Sequence, residues 1–306
     1  MGIKEIPFLK YRKIYFLFSG ILILAALVSL ILFGLKPGID FTGGSILEIE
    51  YKTERPSNQE IREAISNLDL GEISIQPTEE RGVILRMKDI SEETHQELLE
   101  KLMGNKELEE KGFESIGPVI GRELKEKTKA VMVLALLSIV FYITLAFKRV
   151  SRPVSSWQYA ITSLVCLSHD ILIPLGTFSL LGFLYNVQIT IPVICALLTV
   201  VGYAINNVVV VYDRIRENLL SRKEEVFERV ADVAINQTLT RQINTSLTTL
   251  FPLLAIFFLG GETLKYFALT LILGITAGTY SSIFLASPIL VSWLWRRQKK
   301  VLTRAK

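Results

Sequence analysis

The sequence predicts a polytopic α-helical membrane protein: six transmembrane helices with an external α+β domain between the first and the second. Half of the 306 residues are hydrophobic, and the mean hydropathy of +0.40 is high for a soluble domain. Uncharged runs of about the length that spans a bilayer, roughly 20 residues, recur along the chain. This composition excludes a soluble enzyme, a secreted disulfide scaffold and a disordered chain.

The uncharged runs divide the chain into segments. A cytoplasmic N-terminus, 1–13, precedes helix 1 at 14–35, and this run of 22 residues is longer than the apolar region of a signal peptide, about 7–15 residues. We therefore expect an uncleaved helix. The external domain covers 36–129, and a five-helix transmembrane domain covers 130–295 before a basic tail, 296–306. The predicted spans of that domain are 130–147, one beginning near 156, 189–211, 241–259 and 266–290.

Charge predicts the orientation, because Lys and Arg concentrate in cytoplasmic loops. Residues 36–129 carry a net charge of −7, whereas a net charge of +12 is shared by the segments 1–13, 148–156, 212–242 and 296–306. We therefore predict a multi-pass protein of the cytoplasmic membrane with both termini in the cytoplasm. Alternating charged and apolar residues also predict an amphipathic helix near 221–237 that lies on the cytoplasmic face.

The external segment predicts the order βαββαβ, which is typical of a small ferredoxin-like sandwich. Residues 45–51 alternate apolar and polar, and Ser57 and Ser91 are helix-capping residues before apolar-periodic stretches. The chain has no Ser/His/Asp set, zinc-ligand spacing or phosphate loop, so we predict no enzymatic activity, no metal and no cofactor. We expect His95 to be a solvated helix residue, and Cys166 and Cys195 to be small buried residues.

Polar and ionisable residues inside the predicted helices are the candidate functional residues, because they are costly in a bilayer. The candidates for a proton or ion relay are His169 and Asp170 of helix 3, Asn206 and Asn207 of helix 4, and Arg241 of helix 5. Arg241 also belongs to a polar helix face that must meet other helices or a water-filled cavity. The other members of that face are Asn244, Thr245, Thr248 and Thr249.

Plainer interpretations of these residues stay open. Asn206 and the hydroxyl groups can simply bond neighbouring helices, and His169 with Asp170 can be a structural pair. Arg241 can extend to the lipid headgroups. Asp213 and Arg214, at the cytoplasmic end of helix 4, can anchor a loop and set the topology rather than relay protons.

Several motifs occur together in one order and resemble those of the SecD/SecF family of protein-export subunits, within the resistance-nodulation-division superfamily. They are DFTGG at 40–44, His169-Asp170, VGYAINNVVVVYDRIREN at 201–218, TRQINTSLTT at 240–249 and GGE at 260–262. The resemblance covers nearly the whole chain. It implies a six-span half of an export transporter that works with SecD and the SecYEG translocon, with YajC as a further candidate partner.

The resemblance also implies unfolded preproteins as substrate, contact with membrane lipid, no nucleic-acid partner, and a proton or sodium gradient as the source of energy. In this family an aspartate of helix 4 and an arginine of helix 5 are linked to proton passage. Arg241 matches the arginine. The family pattern Asn-Asp is Asn206-Asn207 here, and an amide cannot exchange a proton near neutral pH.

Two explanations of the missing aspartate are open: this chain lacks a proton site of its own, or another carboxylate provides it. Asp170 is the internal candidate and a carboxylate of SecD the external one. The glycine-bearing linkers of the external domain are expected hinges, the first of them formed by Asp40, Thr42, Gly43 and Gly44. Alternative functions are half of a proton-driven efflux or lipid transporter, and a non-conducting scaffold of the translocon, which Asn207 favours.

Overall fold

The computed structural model describes residues 6–78, 80–104, 106–147, 154–221 and 226–304. The chain divides into an α+β unit, Pro37–Ala130, and a membrane unit made of Met1–Lys36 and Val131–Lys306. In chain order the elements are α1 (Arg12–Phe33), α2 (Ile39–Thr42), β1 (Gly44–Tyr51), α3 (Asn58–Ala64), β2 (Ser74–Thr78), β3 (Gly82–Met87), α4 (Glu92–Met103), β4 (Leu108–Ile116), α5 (Pro118–Ala146), α6 (Ser156–Tyr185), α7 (Ile191–Ser221), α8 (Phe227–Leu259), α9 (Glu262–Ser281) and α10 (Ser287–Arg304).

The α+β unit has the predicted ferredoxin-like topology. Its sheet has the order β2-β3-β1-β4 with antiparallel neighbours, and the order of strands and helices along the chain is βαββαβ. Ser57 begins α3 with a capping box to Glu60, and Ser91 caps α4 by accepting the Thr94 N–H. Alternate residues of β1, such as Leu47 and Ile49, are fully buried in the core.

His95 is buried, and the expectation of a solvated residue is wrong. Its ring stacks on Phe113 of β4, with centroids 3.8 Å apart, and its two nitrogens lie 3.3 Å from Glu92 and 3.4 Å from Glu110. The helix sequence could not predict this packing, because Phe113 and Glu110 come from a strand that crosses below α4. Hydrogen bonds from Gln96 and then His95 lower the pKa of the Glu92 carboxyl.

Six helices of the described chain are long and apolar enough to cross a membrane, which confirms the predicted number. They are Phe8–Phe33, Pro118–Ala146, Ser156–Tyr185, Ile191–Ser221, Phe227–Leu259 and Leu264–Arg296. The sixth combines α9, a π-helical turn at Ser282–Ala286 and α10.

The predicted amphipathic helix near 221–237 differs from the structure. Residues 222–225 lie outside the described residues, and 227–237 form the first turns of α8, continuous with the fifth span. Val230, Ala231 and Ala234 are fully buried on this stretch. Its apolar face packs on protein, and a pattern of apolar residues cannot tell that partner from a membrane surface.

Small residues allow two close helix crossings. At Gly176 of α6 an added Cβ would lie 2.5 Å from the Cα of Ala26 in α1. At Gly274 of α9 it would lie 2.2 Å from a methyl group of Val200 in α7. These crossings agree with the small-residue spacing that allows backbones to approach in membranes.

The N-terminal arm, Ile6–Arg12, is held by one face of α8. Asn236 accepts from the Ile6 N–H at 3.0 Å and donates to the Ile6 carbonyl at 2.9 Å. One turn earlier on α8, Asp232 accepts from the Leu9 N–H at 3.0 Å, and another turn earlier Glu228 pairs with Arg12 at 2.8 Å. Residues four apart share a helix face, so α8 presents a continuous polar ladder to the arm.

We predict that Gly274→Ala lowers the unfolding temperature in detergent, because overpacking against Val200 costs about 1–3 kcal/mol. The double variant Val200→Ala/Gly274→Ala should unfold at a higher temperature than Gly274→Ala alone. Gly202→Ala is the control, because no atom outside its own helix lies within 4 Å of an added Cβ there. Equal unfolding temperatures for Gly274→Ala and Gly202→Ala would contradict the close crossing.

We predict that Asp232→Ala releases the N-terminal arm. A hydrogen bond to a charged group contributes roughly 2 kcal/mol, so tryptic cleavage after Lys10 should accelerate by about tenfold or more. The control Glu217→Ala removes a carboxylate that pairs with Arg214 of α7 and has no bond to the arm. Cleavage at the same rate in both variants would show that Asp232 does not hold the arm.

Candidate functional site

His169 and Asp170 lie in the middle of α6, and both are buried. The His169 Nδ1 is 2.9 Å from one oxygen of Asp170. The other oxygen of Asp170 accepts a hydrogen bond of 2.8 Å from the Ser281 hydroxyl of α9. The structure thus brings the two predicted residues together, and Ser281 is a partner that the sequence analysis missed.

Gly278 of α9 makes room for this cluster. An added Cβ there would lie 3.5 Å from the second Asp170 oxygen and 2.9 Å from the Ala204 Cβ of α7. The helices α6, α7 and α9 therefore converge at a position that has no side chain. Gly274 and Gly278 are four residues apart, a spacing that favours close helix packing, but only the structure shows that this packing also encloses a carboxylate.

The two adjacent asparagines of α7 have different surroundings. Asn207 is buried and its Nδ2 has no hydrogen-bond partner among the described residues, whereas Asn206 is exposed. Val200 lies against Gly274 and Ala204 against Gly278, so α7 and α9 run parallel. In this register Asn207 lies at the level of Ser281. Asn207 therefore belongs to the polar layer of Asp170, and Asn206 does not.

α8 has two polar stripes rather than one. The inner stripe, Thr238, Gln242 and Ser246, is buried: Gln242 accepts from the Ser282 hydroxyl, and Ser246 shares a hydrogen bond of 2.5 Å with Thr279. The sequence analysis missed Gln242 and Ser246. A signal was available, since the three residues are four positions apart.

The outer stripe, Arg241, Asn244, Thr245 and Thr248, is the predicted polar face, and it is exposed. The Thr245 hydroxyl donates to the Arg241 carbonyl at 2.8 Å, and the Thr248 hydroxyl donates to the Asn244 carbonyl at 3.0 Å. Thr249 is half-buried, with its hydroxyl 3.5 Å from that of Tyr203. Within the described chain, Arg241 is not placed beside the His169–Asp170 pair.

A π-helical turn, Ser282–Ala286, follows Ser281 directly. The Tyr212 hydroxyl of α7 donates to the Ala286 carbonyl at 3.3 Å and lies 2.7 Å from the Thr162 hydroxyl of α6. Single π-helical turns within α-helices occur frequently at functional sites. The same three helices that enclose Asp170 are therefore joined again next to the π-helical turn.

Asp213 and Arg214 do not pair with each other. Asp213 lies 3.4 Å from Arg216, and Arg214 lies 2.9 Å from Glu217. Both pairs are local to the last turns of α7. The plainer interpretation of an anchoring role agrees with this geometry.

The DFTGG segment packs tightly within the α+β unit. Gly43 and Gly44 have positive φ angles of 76° and 138°, and an added Cβ at Gly43 would lie 2.6 Å from the Cα of Pro118. An added Cβ at Gly121 would lie 2.8 Å from the Gly43 nitrogen, while Asp40 and Thr42 lie in α2. The two segments by which the chain enters and leaves the α+β unit therefore lie in contact. Bending of one segment would involve the other.

Among the described residues, neither the cysteines nor any group of His, Cys, Asp and Glu side chains forms a second candidate site. Cys166 is buried and Cys195 is exposed, so the expectation of burial is wrong for Cys195. The apolar run around Cys195 covers both sides of α7, and the sequence does not show which side packs. In the described ranges no three His, Cys, Asp or Glu side chains come together as a metal site.

Comparisons with known proteins identify the family. Residues 95–296 match the family model described as protein export membrane protein SecD/SecF, C-terminal, and residues 28–54 match that of the SecD/SecF GG motif. The second match includes Gly43 and Gly44. Protein translocase subunit SecF of Thermobaculum terrenum is 39% identical over 304 residues, with 94% of each chain covered. SecF of Synechocystis is 33% identical over 310 residues, with 96% of this chain and 95% of the relative covered.

A solved structure is also similar. The crystal structure of SecDF from Thermus thermophilus, a translocon-associated membrane protein, matches with a TM-score of 0.82 and 32% identity. The match covers 94% of this chain but 38% of the SecDF chain, so this chain spans well under half of that protein. The sequence, the topology of the α+β unit and the membrane helices all agree with these comparisons. The chain belongs to the SecD/SecF family of protein-export membrane proteins.

Proposed function

We propose that the chain is the SecF-type subunit of a Sec protein translocase. It works with SecD to promote the export of unfolded preproteins across the cytoplasmic membrane, using the proton or sodium gradient. SecYEG is the translocon that it assists, and YajC is a further candidate partner. Both termini face the cytoplasm and the α+β unit faces outward, as the excess of Lys and Arg in the short loops supports.

The outer stripe of α8 is the observation that carries this proposal. Arg241 and Asn244 lie exposed on a membrane helix, beside two threonines whose hydroxyls bond their own helix, and a bilayer does not satisfy the arginine and the amide. A second set of membrane helices is therefore needed to cover them. The SecDF relative contains more than twice the length of this chain in one polypeptide. Its remaining part is a partner of the right kind, and we propose that SecD covers the stripe here.

The His169–Asp170 pair is our proposed site of energy coupling within this chain. Asn207 cannot titrate, whereas Asp170 is a carboxylate in the same polar layer, enclosed by α6, α7 and α9. A change in the charge of the pair alters the cost of burying it and the strength of the Ser281 hydrogen bond. We propose that these helices repack in response.

We also propose that this repacking reaches the α+β unit through its two connections. The contact of Gly43 with Pro118 ties the connections together, so the unit would swing as one body rather than open at a single linker. A disulfide that bridges a linker should therefore reduce export and leave complex assembly unchanged.

We predict that a mild-detergent purification of the tagged chain recovers a SecD-like protein, and that Thr245→Leu/Thr248→Leu weakens this recovery. The leucines remove two of the four polar side chains of the outer stripe and keep the helix. The control Leu247→Ala changes an exposed apolar residue of the same helix. Bound proteins are identified by mass spectrometry.

Two outcomes would count against this proposal. Recovery of efflux adaptors or lipid-carrier proteins without a SecD-like chain would favour the transporter alternative. Equal recovery with the leucine variant and the control would place the partner on another surface.

We predict that Asp170→Asn abolishes the gradient-stimulated part of export and leaves the gradient-independent part, because the pair loses its negative charge. The measurement is preprotein uptake into inverted vesicles with and without a gradient. Ser168→Ala is the matched control, since its hydroxyl bonds only the Leu164 carbonyl of its own helix. An unchanged response of Asp170→Asn to the gradient would exclude the internal site and favour a SecD carboxylate or the scaffold alternative.

A further inference from the structure

Both oxygens of Asp170 lie within hydrogen-bond distance of a polar group. One faces the His169 Nδ1 at 2.9 Å and the other the Ser281 hydroxyl at 2.8 Å. A carboxylate in this position is satisfied as an anion. Hydrogen bonds to an ionised carboxylate are stronger than hydrogen bonds between neutral groups, so a proton placed on Asp170 would weaken both of these contacts.

His169 presents the opposite situation. Because its Nδ1 faces a carboxylate, the hydrogen-bond network assigns the ring proton to Nδ1 and leaves a lone pair on Nε2. The Nε2 is buried and has no hydrogen-bond partner among the described residues. A bare ring nitrogen is therefore the open proton acceptor of the pair, and imidazole is the side chain that ordinarily changes charge near neutral pH.

The surroundings of the ring suit a cation. The ring of Tyr280 lies 5.9 Å away and 25° from parallel, and an aromatic face attracts an imidazolium. The Tyr280 hydroxyl donates to the Tyr15 carbonyl at 3.2 Å and accepts from Ser19 of α1 at 3.1 Å. The ring is therefore linked through α9 to α1, the helix that leads to the α+β unit.

The other groups near the pair carry no positive charge. Cys166 lies one turn below Asp170 on α6, α7 contributes the amide of Asn207 and the phenol of Tyr212, and α9 contributes Tyr280 and Ser281. α1 contributes Tyr15 and Ser19. Arg241, on α8, is exposed to the outside of this chain. No cation in the described part of this layer therefore opposes a charge on His169.

We propose that His169 Nε2 is the atom at which this subunit takes up its proton, and that Asp170 stays ionised as the counter-ion that positions the ring. The inference rests on the proposed function and deepens it. One proton from the water phase adds to the Nε2 lone pair, the Nδ1 proton stays in place, and the net charge of the pair changes from −1 to 0. No bond between heavy atoms changes.

This geometry favours protons over sodium ions. Hard cations prefer several oxygen ligands, and each Asp170 oxygen already faces a hydrogen-bonding group. A nitrogen lone pair without a partner in the described chain suits a proton better than a hard cation. Charging the ring would strengthen its attraction to Tyr280 and so tighten α9 and α1 around α6.

The first test is solid-state ¹⁵N NMR of ring-labelled histidine in proteoliposomes that contain the chain with its partner. The sequence has two histidines, so subtraction of the His169→Gln spectrum isolates the ring of His169. From about pH 8 to about pH 5 we expect a neutral ring protonated at Nδ1 to gain a proton at Nε2. Infrared spectra should show no protonated carboxyl band that Asp170→Asn removes.

A ring that stays neutral across this range, together with a carboxyl band that Asp170→Asn abolishes, would overturn the proposal and assign the proton to Asp170. Should His169→Gln fail to fold, His95→Gln leaves His169 as the single labelled ring. If sodium ions at constant pH partly prevented the protonation of His169, that result would contradict the preference for protons.

The second test is export. His169→Gln keeps a donor toward Asp170 but cannot titrate, so the gradient-stimulated rate should fall by at least about tenfold while SecD-like protein is still recovered. Full gradient stimulation in His169→Gln would overturn the proposal. If the unaltered protein itself shows no gradient-stimulated export, the proposed function fails, and the NMR titration still decides whether His169 is a protonation site.

Discussion

The absence of a side chain at Gly278 is the constraint on which the membrane unit depends. It lets α6, α7 and α9 approach until Ala204 lies against α9, and the same space admits the Asp170 carboxylate. Ser281, one turn further, then donates to that carboxylate. Close packing and a buried charge are usually in conflict, because ions are expensive in a low-dielectric interior. Here one glycine permits both, and the histidine next to Asp170 supplies the second donor.

α8 has two groups of polar residues that differ in their contacts. The inner stripe, with Gln242 and Ser246, fixes α8 to the sixth span by side-chain hydrogen bonds. The outer stripe, with Arg241, remains on the surface of this chain. At its N-terminal end α8 also holds the N-terminal arm through Asp232 and Asn236. The helix that carries the outer stripe is therefore also tied to the segment that begins the first membrane helix.

The sequence largely predicts which helices and strands form, but it does not predict which residues surround them. Long apolar runs predict membrane helices because the bilayer imposes their length, and alternating residues predict the strands of the sheet. The sequence predicts an amphipathic helix near 221–237 on a membrane surface, but its part 227–237 packs on protein. It predicts a solvated His95, but this ring stacks on Phe113. In each case the residue pattern gives a buried or amphipathic face but not the identity of the neighbour that covers it.

The sequence by itself determined the six helices, the ferredoxin-like unit, the family and the polar residues that a bilayer penalises. These follow from local properties: apolar length, period and charge. Only the tertiary structure decided that Asn207 is buried and Asn206 exposed, that Ser281 completes the Asp170 cluster, and that Arg241 is exposed. Those facts depend on how α6, α7, α8 and α9 rotate against one another. That rotation is fixed by close contacts between residues far apart in the chain, which no local pattern records.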